Sequence, residues 1–188
     1  MSFKVLVIPA DPTHNGYLLK PLAEAILAAA GKPAARFVVL SNPKLEGYDH
    51  ALRAIREELP ARYGHWDLWL FFPDADRASP PAMLQLEHDL NAQKVKLLCC
   101  AAQPEVEIYA CAPFRQEIKG GWDAARQAGK MKEDIFKVLL ERHGDNRRAG
   151  EGRDLMIAKS LKNLPLLFQL CPELKTLRDR IEKLLQRQ

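Results

Sequence analysis

"VLVIPADPTHNGYLLKPLAEAIL", residues 5–27, decides the fold. Together with Phe3 and Lys4 it opens on a short apolar run to Ile8, as a strand covered on both faces requires. Asn15 and Gly16 then open a helix whose Leu18, Leu19, Leu22, Ala25, Ile26 and Ala29 recur at helical spacing, and Gly31 with Pro33 ends it. A strand that turns straight into a helix delivers chemistry at the strand's C-terminal end. Here the first residue past the strand's proline is the inert Ala10, and Asp11 follows.

The unit recurs along the front half. "ARFVVL" (35–40), "WDLWLFF" (66–72) and "VKLLCCAA" (95–102) read as strands. Helices are expected over 48–59, on Ala51, Leu52, Ile55 and Leu59, and over about 80–91, on Met83, Leu84, Leu86 and Leu90. Strands alternating with helices at this spacing imply right-handed crossovers and a parallel sheet. Beyond it the pattern is helical: one amphipathic helix over 130–144, a charged loop over 145–154, then "LMIAKSLKNLPLLFQL" and "PELKTLRDRIEKLLQ" as one helix each, separated at Cys171–Pro172. The expected architecture is α/β: a Rossmann-like four-stranded parallel core over 1–112, with a helical extension over 113–188 packed on it as one compact unit.

Composition narrows the classes. At 188 residues, 47% hydrophobic and 28% charged, the chain suits a globular domain, and neither a membrane-span-length apolar run nor a leader pattern is evident. Cys99, Cys100, Cys111 and Cys171 form no CxxC pair and fall mostly in apolar segments, so buried free thiols and a cytoplasmic location are expected. The net charge of +4 divides unevenly: 11 Lys/Arg against 13 Asp/Glu before residue 113, and 17 against 11 after it. A basic rear half suits a polyanion surface or an acidic partner, but the basic residues are scattered, which favours solvated helix faces.

In an open parallel sheet ligands collect beyond the strands' C-terminal ends, where strand order reverses. For an order beginning 2-1-3 that point lies between the first and third strands, after which stand "PADPTHN" and "PDADR". Asp74 and Asp76 place two carboxylates in one small volume, a costly arrangement unless a cation neutralises it. Hard oxygen donors suit Mg²⁺ or Mn²⁺. An acidic helix-capping turn before "RASPP" is the competing reading. In "QPEVEIYA", Glu105 and Glu107 follow the fourth strand at the same sheet edge; they suit a metal, directly or through water, and equally a helix N-terminus. Lys130, Lys132 and Arg153 are candidate phosphate contacts, Arg153 foremost because two glycines bracket the approach to it. For each alone a solvated surface cation is the simpler reading. The five histidines show no metal spacing, and His14 alone falls in the site loop. GxGxxG after the first strand, Walker A and a nucleophile elbow are missing, which argues against dehydrogenase, NTPase and serine hydrolase.

With "LVIPAD" after the first strand, "LFFPDAD" after the third, "QPEVEIYA" after the fourth and a helical tail containing "GEGRD" and "CPELKTLRDRIEKL", nearly the whole chain resembles the Toprim fold of topoisomerases, bacterial primases and OLD-type nucleases. It is most similar to small stand-alone bacterial Toprim-like proteins thought to act in phage defence beside an ATPase. The resemblance implies a Mg²⁺- or Mn²⁺-dependent nuclease acting on DNA or RNA. Asp74 and Asp76 would hold the metal, Glu105 or Glu107 would support a second one, and Lys132 or Arg153 would steady the phosphate. It further implies an ATPase or other defence-system partner and no membrane. Ala10 departs from the pattern, standing where the family has a catalytic glutamate. Asp11 could substitute for it. Catalysis could be naturally lost, leaving a non-catalytic subunit that docks onto an ATPase or nucleic acid. The chain could also be a Glu-to-Ala form of an active nuclease, which retention of the other acids favours.

Overall fold

A computed structural model describes residues 2–10 and 12–187, without the side chains of Pro12 and Thr13. Strands β1 (Lys4–Pro9), β2 (Arg36–Val39), β3 (Leu68–Phe72) and β4 (Leu97–Cys99) form one sheet in the order β2-β1-β3-β4, every pair parallel. The fold is α/β and Rossmann-like, and the strand order reverses between β1 and β3.

Both faces of the sheet are covered, so its central strands are apolar at successive positions. Val5 and Val7 of β1, Leu68, Leu70 and Phe72 of β3, and Leu98 of β4 point into one buried cluster. The alternate residues Leu6, Ile8, Trp69, Phe71, Leu97 and Cys99 point into a second. Period-two alternation thus survives inside each apolar run, divided between two cores. Each fully buried Leu or Ile contributes about 1.5–3 kcal/mol.

The first core is closed by helix α1 (Pro12–Ala29) and by the C-terminal helices α8 (Arg153–Leu161), α9 (Leu164–Leu170) and α10 (Pro172–Gln186), through Met156, Ile157, Leu167, Leu174, Leu177 and Ile181. The helical extension therefore shares its core with the sheet. The second core lies under α2 (Tyr48–Arg53), α3 (Leu59–Tyr63) and α4 (Pro80–Ala92), through Ala51, Leu59, Met83, Leu86 and Leu90. Helix α1 lies so near β2 that a Cβ on Gly16 would stand 3.1 Å from Val39.

Several element boundaries differ from expectation. Helix α1 starts at Pro12, ahead of Asn15. The helix expected over 48–59 runs on to Tyr63, with a π-helical turn at Ala54–Glu58 between α2 and α3. That over 130–144 follows the short helices α5 (Ile108–Cys111) and α6 (Gly121–Arg126) and is a π-helical turn, Lys132–Phe136, leading into α7 (Lys137–His143). "LMIAKSLKNLPLLFQL" is two helices, because Asn163 accepts the Leu166 N–H as an N-cap and Pro165 follows in the first turn. The charged loop holds a 3₁₀ turn, Ala149–Gly152, with Gly150 and Gly152 at φ of 72° and 83°. A Cβ on Gly150 would meet the Tyr17 ring at 2.5 Å, and one on Gly152 the Asp145 nitrogen at 2.2 Å, so glycine is required at both on two counts.

Candidate functional site

Pro9 of β1 pairs with Phe72 of β3, so the residues after both strands emerge side by side. Ala10, Asp74 and Asp76 line one cleft of about 570 Å³ at this point. Glu46, Gly47, Tyr48 and Asp49, following β2, and Arg77 complete its walls. The sequence reading missed Glu46, Tyr48 and Asp49. Their signal was available: β2 flanks β1 in a 2-1-3 order, so its C-terminal loop opens at the same edge.

The turn carrying Asp74 is stitched to the loop after β4. Asp74 forms an isolated parallel bridge with Ala102, and the Ala75 N–H donates to the carbonyls of Ala102 and Pro104 at 2.9 and 3.0 Å. The Asp74 Oδ1 accepts the Val106 N–H at 3.1 Å. One Asp74 oxygen thus holds this loop, a structural duty beside any catalytic one.

Burial, then the neighbouring Glu107, and further Glu105 and Asp76, push the Asp74 carboxyl up to about 7, with the Val106 hydrogen bond opposing them. A carboxyl so raised in a cleft at the sheet's switch point marks a candidate site. Asp76 is different. Its side chain is 64% exposed and lies 3.6 Å from the Arg77 guanidinium, a surface pair of little energetic weight. Tyr48 stacks on Phe71 with ring centroids 6.3 Å apart, and burial first, then Cys99, raises its phenol above the usual range.

Glu107 is buried at the N-cap of the short helix α5 (Ile108–Cys111), where its side chain makes no capping hydrogen bond. Its Oε1 faces the Lys132 ammonium at 3.3 Å without the alignment of a hydrogen bond. Glu105 accepts the Lys132 backbone N–H at 2.8 Å, and burial raises its carboxyl despite that bond. Both glutamates therefore meet the same residue, one through its side chain and the other through its backbone. Lys132 is a counter-ion for Glu107.

Arg153 stands apart from the residues lining the cleft. It is buried, donates to the Gly150 carbonyl at 3.2 Å, pairs with Glu151 and lies over the Phe136 ring. Lys130 likewise does not line the cleft. Asp11 falls outside the described residues. Among those described, no three His, Cys, Asp or Glu side chains are grouped so as to hold a metal ion. Asp74 and Asp76 thus offer a two-carboxylate foothold, and the third position implied by the resemblance is Ala10. Mg²⁺ commonly takes one or two carboxylates and fills its sphere with water and substrate phosphate, so this donor pair fits it in part.

All four cysteines are free and buried, and among the described residues no helix is long and apolar enough to cross a membrane. Comparison with protein-family models, curated proteins and solved structures finds no match.

Proposed function

We propose that this cleft is the site of a Toprim-type, divalent-metal-dependent nuclease acting on the phosphodiesters of DNA or RNA. The observation that carries the reading is a charge imbalance. Glu46, Asp49, Asp74 and Asp76 face Arg77 across one cleft, and the half-buried Asp74 pairs with no cation among the described residues. A phosphodiester is an anion and would be repelled from such a cleft until a cation had entered. Asp74 and Asp76 are the residues that would hold Mg²⁺ or Mn²⁺. Bound there, the metal would polarise the phosphate and supply an activated water.

The remaining steps belong to the chain. The Val106 N–H fixes the Asp74 carboxylate, and the ladder between β1 and β3 sets position 10 against it. The Lys132–Glu107 pair keeps a second acid beside Asp74 and thereby holds the Asp74 proton more tightly. At neutral pH the Asp74 carboxyl is part-protonated, so a metal would compete with a proton for it. Control by an ATPase or another defence-system partner, and a cytoplasmic location suited to four buried thiols, belong to the same proposal.

One observation favours a second reading. Ala10 supplies no acid at the strand end, which suits a non-catalytic subunit docking onto an ATPase or nucleic acid. The two part company in one experiment: Ala10→Glu assayed on plasmid DNA and on RNA with Mg²⁺ or Mn²⁺. Cleavage that disappears on adding Asp74→Asn supports the nuclease. No cleavage by the Ala10→Glu protein, alone or with its partner, supports the subunit.

A further inference from the structure

Strand β4 ends the sheet, so one of its sides has no strand beside it. At Cys99 that side is occupied by side chains. The Cys99 N–H donates to Glu87 Oε1 at 2.6 Å, and its carbonyl accepts from Arg180 Nη1 at 3.5 Å. Glu87, from α4, and Arg180, from α10, are themselves ion-paired. A carboxylate and a guanidinium thus give Cys99 the acceptor and the donor that a neighbouring strand would give it.

A groove between α4 and α10 follows this edge on both sides of the ion pair. One part, about 370 Å³, is walled mainly by Met83, Leu84, Ala101 and Leu177, and Leu84 is 61% exposed at its lip. The other, about 400 Å³, is walled by Lys96, Lys183 and Arg187 with Leu98 and Leu184, and holds no carboxylate among the described residues. Arg180 lines both parts.

We propose that this edge docks an extended segment of a partner protein, which adds to β4 as a further strand. Three features of the groove match that occupant. Displacing the Glu87–Arg180 pair exposes the backbone donor and acceptor of Cys99. The apolar part takes aliphatic side chains, and the cationic part takes carboxylates. The segment is therefore apolar at one end and acidic at the other. A nucleic acid fits less well, because Glu87 and Glu173 stand in the apolar part and break the positive track.

The test is fluorescence anisotropy on the whole chain with two fluorescein-labelled probes, Val-Ile-Val-Thr-Glu-Asp-Glu and the same residues in reverse, which cover parallel and antiparallel addition. One probe is expected to bind saturably. N-methylation of its alternate amides, and separately Lys183→Glu with Arg187→Glu at two exposed positions, should each weaken it by roughly tenfold or more. Glu87→Ala should tighten binding, because it frees the Cys99 amide; a merely structural Glu87 would not give that. Melting curves check that the variants are folded. Failure of both probes to saturate by about 1 mM would overturn the proposal. So would binding indifferent to N-methylation, or a single-stranded oligonucleotide that displaces the peptide and depends on the same two cations.

Discussion

Two acidic pairs with the same spacing leave neighbouring strands at one end of the sheet, and the protein treats them differently. After β4, Glu107 faces the Lys132 ammonium and Glu105 takes the Lys132 backbone N–H. After β3, Asp74 has a backbone N–H, burial first and then three acidic neighbours raise its carboxyl, and its partner Asp76 pairs with an exposed arginine. One pair is supplied with its cation by the chain. The other is left with a deficit, and the deficit is what singles it out as a candidate site.

The sharpest way to probe that contrast is to remove the uncompensated charge. Asp74 titrates near 7 in the fold against about 3.9 when unfolded, so its contribution is fully present below pH 4 and is lost as pH rises through 7. The full difference corresponds to about 4 kcal/mol as an upper bound. Asp74→Asn should therefore raise the thermal midpoint at pH 8, leave it nearly unchanged at pH 4, and remove that pH slope. An unchanged slope in the variant would break the contrast.

The compensated pair should answer with the opposite sign. Lys132→Met leaves Glu107 buried without its ammonium and should cost about 3 kcal/mol in urea unfolding, with Glu107→Gln in the same chain recovering much of the loss. Glu105→Gln, which weakens one charge-assisted hydrogen bond already opposed by burial, should cost about 1 kcal/mol. Smallest is Asp76→Asn: exposed and weakly paired, it should change stability by less than about 0.5 kcal/mol while reducing any Mn²⁺ binding.

The same contrast explains what could be read from the sequence. The sheet was legible because both its faces are covered, which turns strands such as Leu68–Phe72 into continuous apolar runs. The meeting of Ala10 with Asp74 and Asp76 followed from strand order alone. The Lys132–Glu107 pair did not, since it joins residues far apart in the chain through the packing of a helical turn against a loop. Arg153 was misleading for a related reason: flanking glycines suggested an open approach, but they serve a tight turn against Tyr17 and the arginine is consumed within it. Asn163 and Pro165 were a local helix boundary in plain view, overridden by a long apolar pattern.

If the cleft between β1 and β3 is a nuclease site, Asp74 and Asp76 hold a divalent cation there. Calorimetric titration of the chain with Mn²⁺ at pH 8 tests it most directly. Saturable binding that Asp74→Asn abolishes, and that weakens as pH falls below 7, is the predicted result. No binding at pH 8, or binding that Asp74→Asn leaves intact, would contradict it.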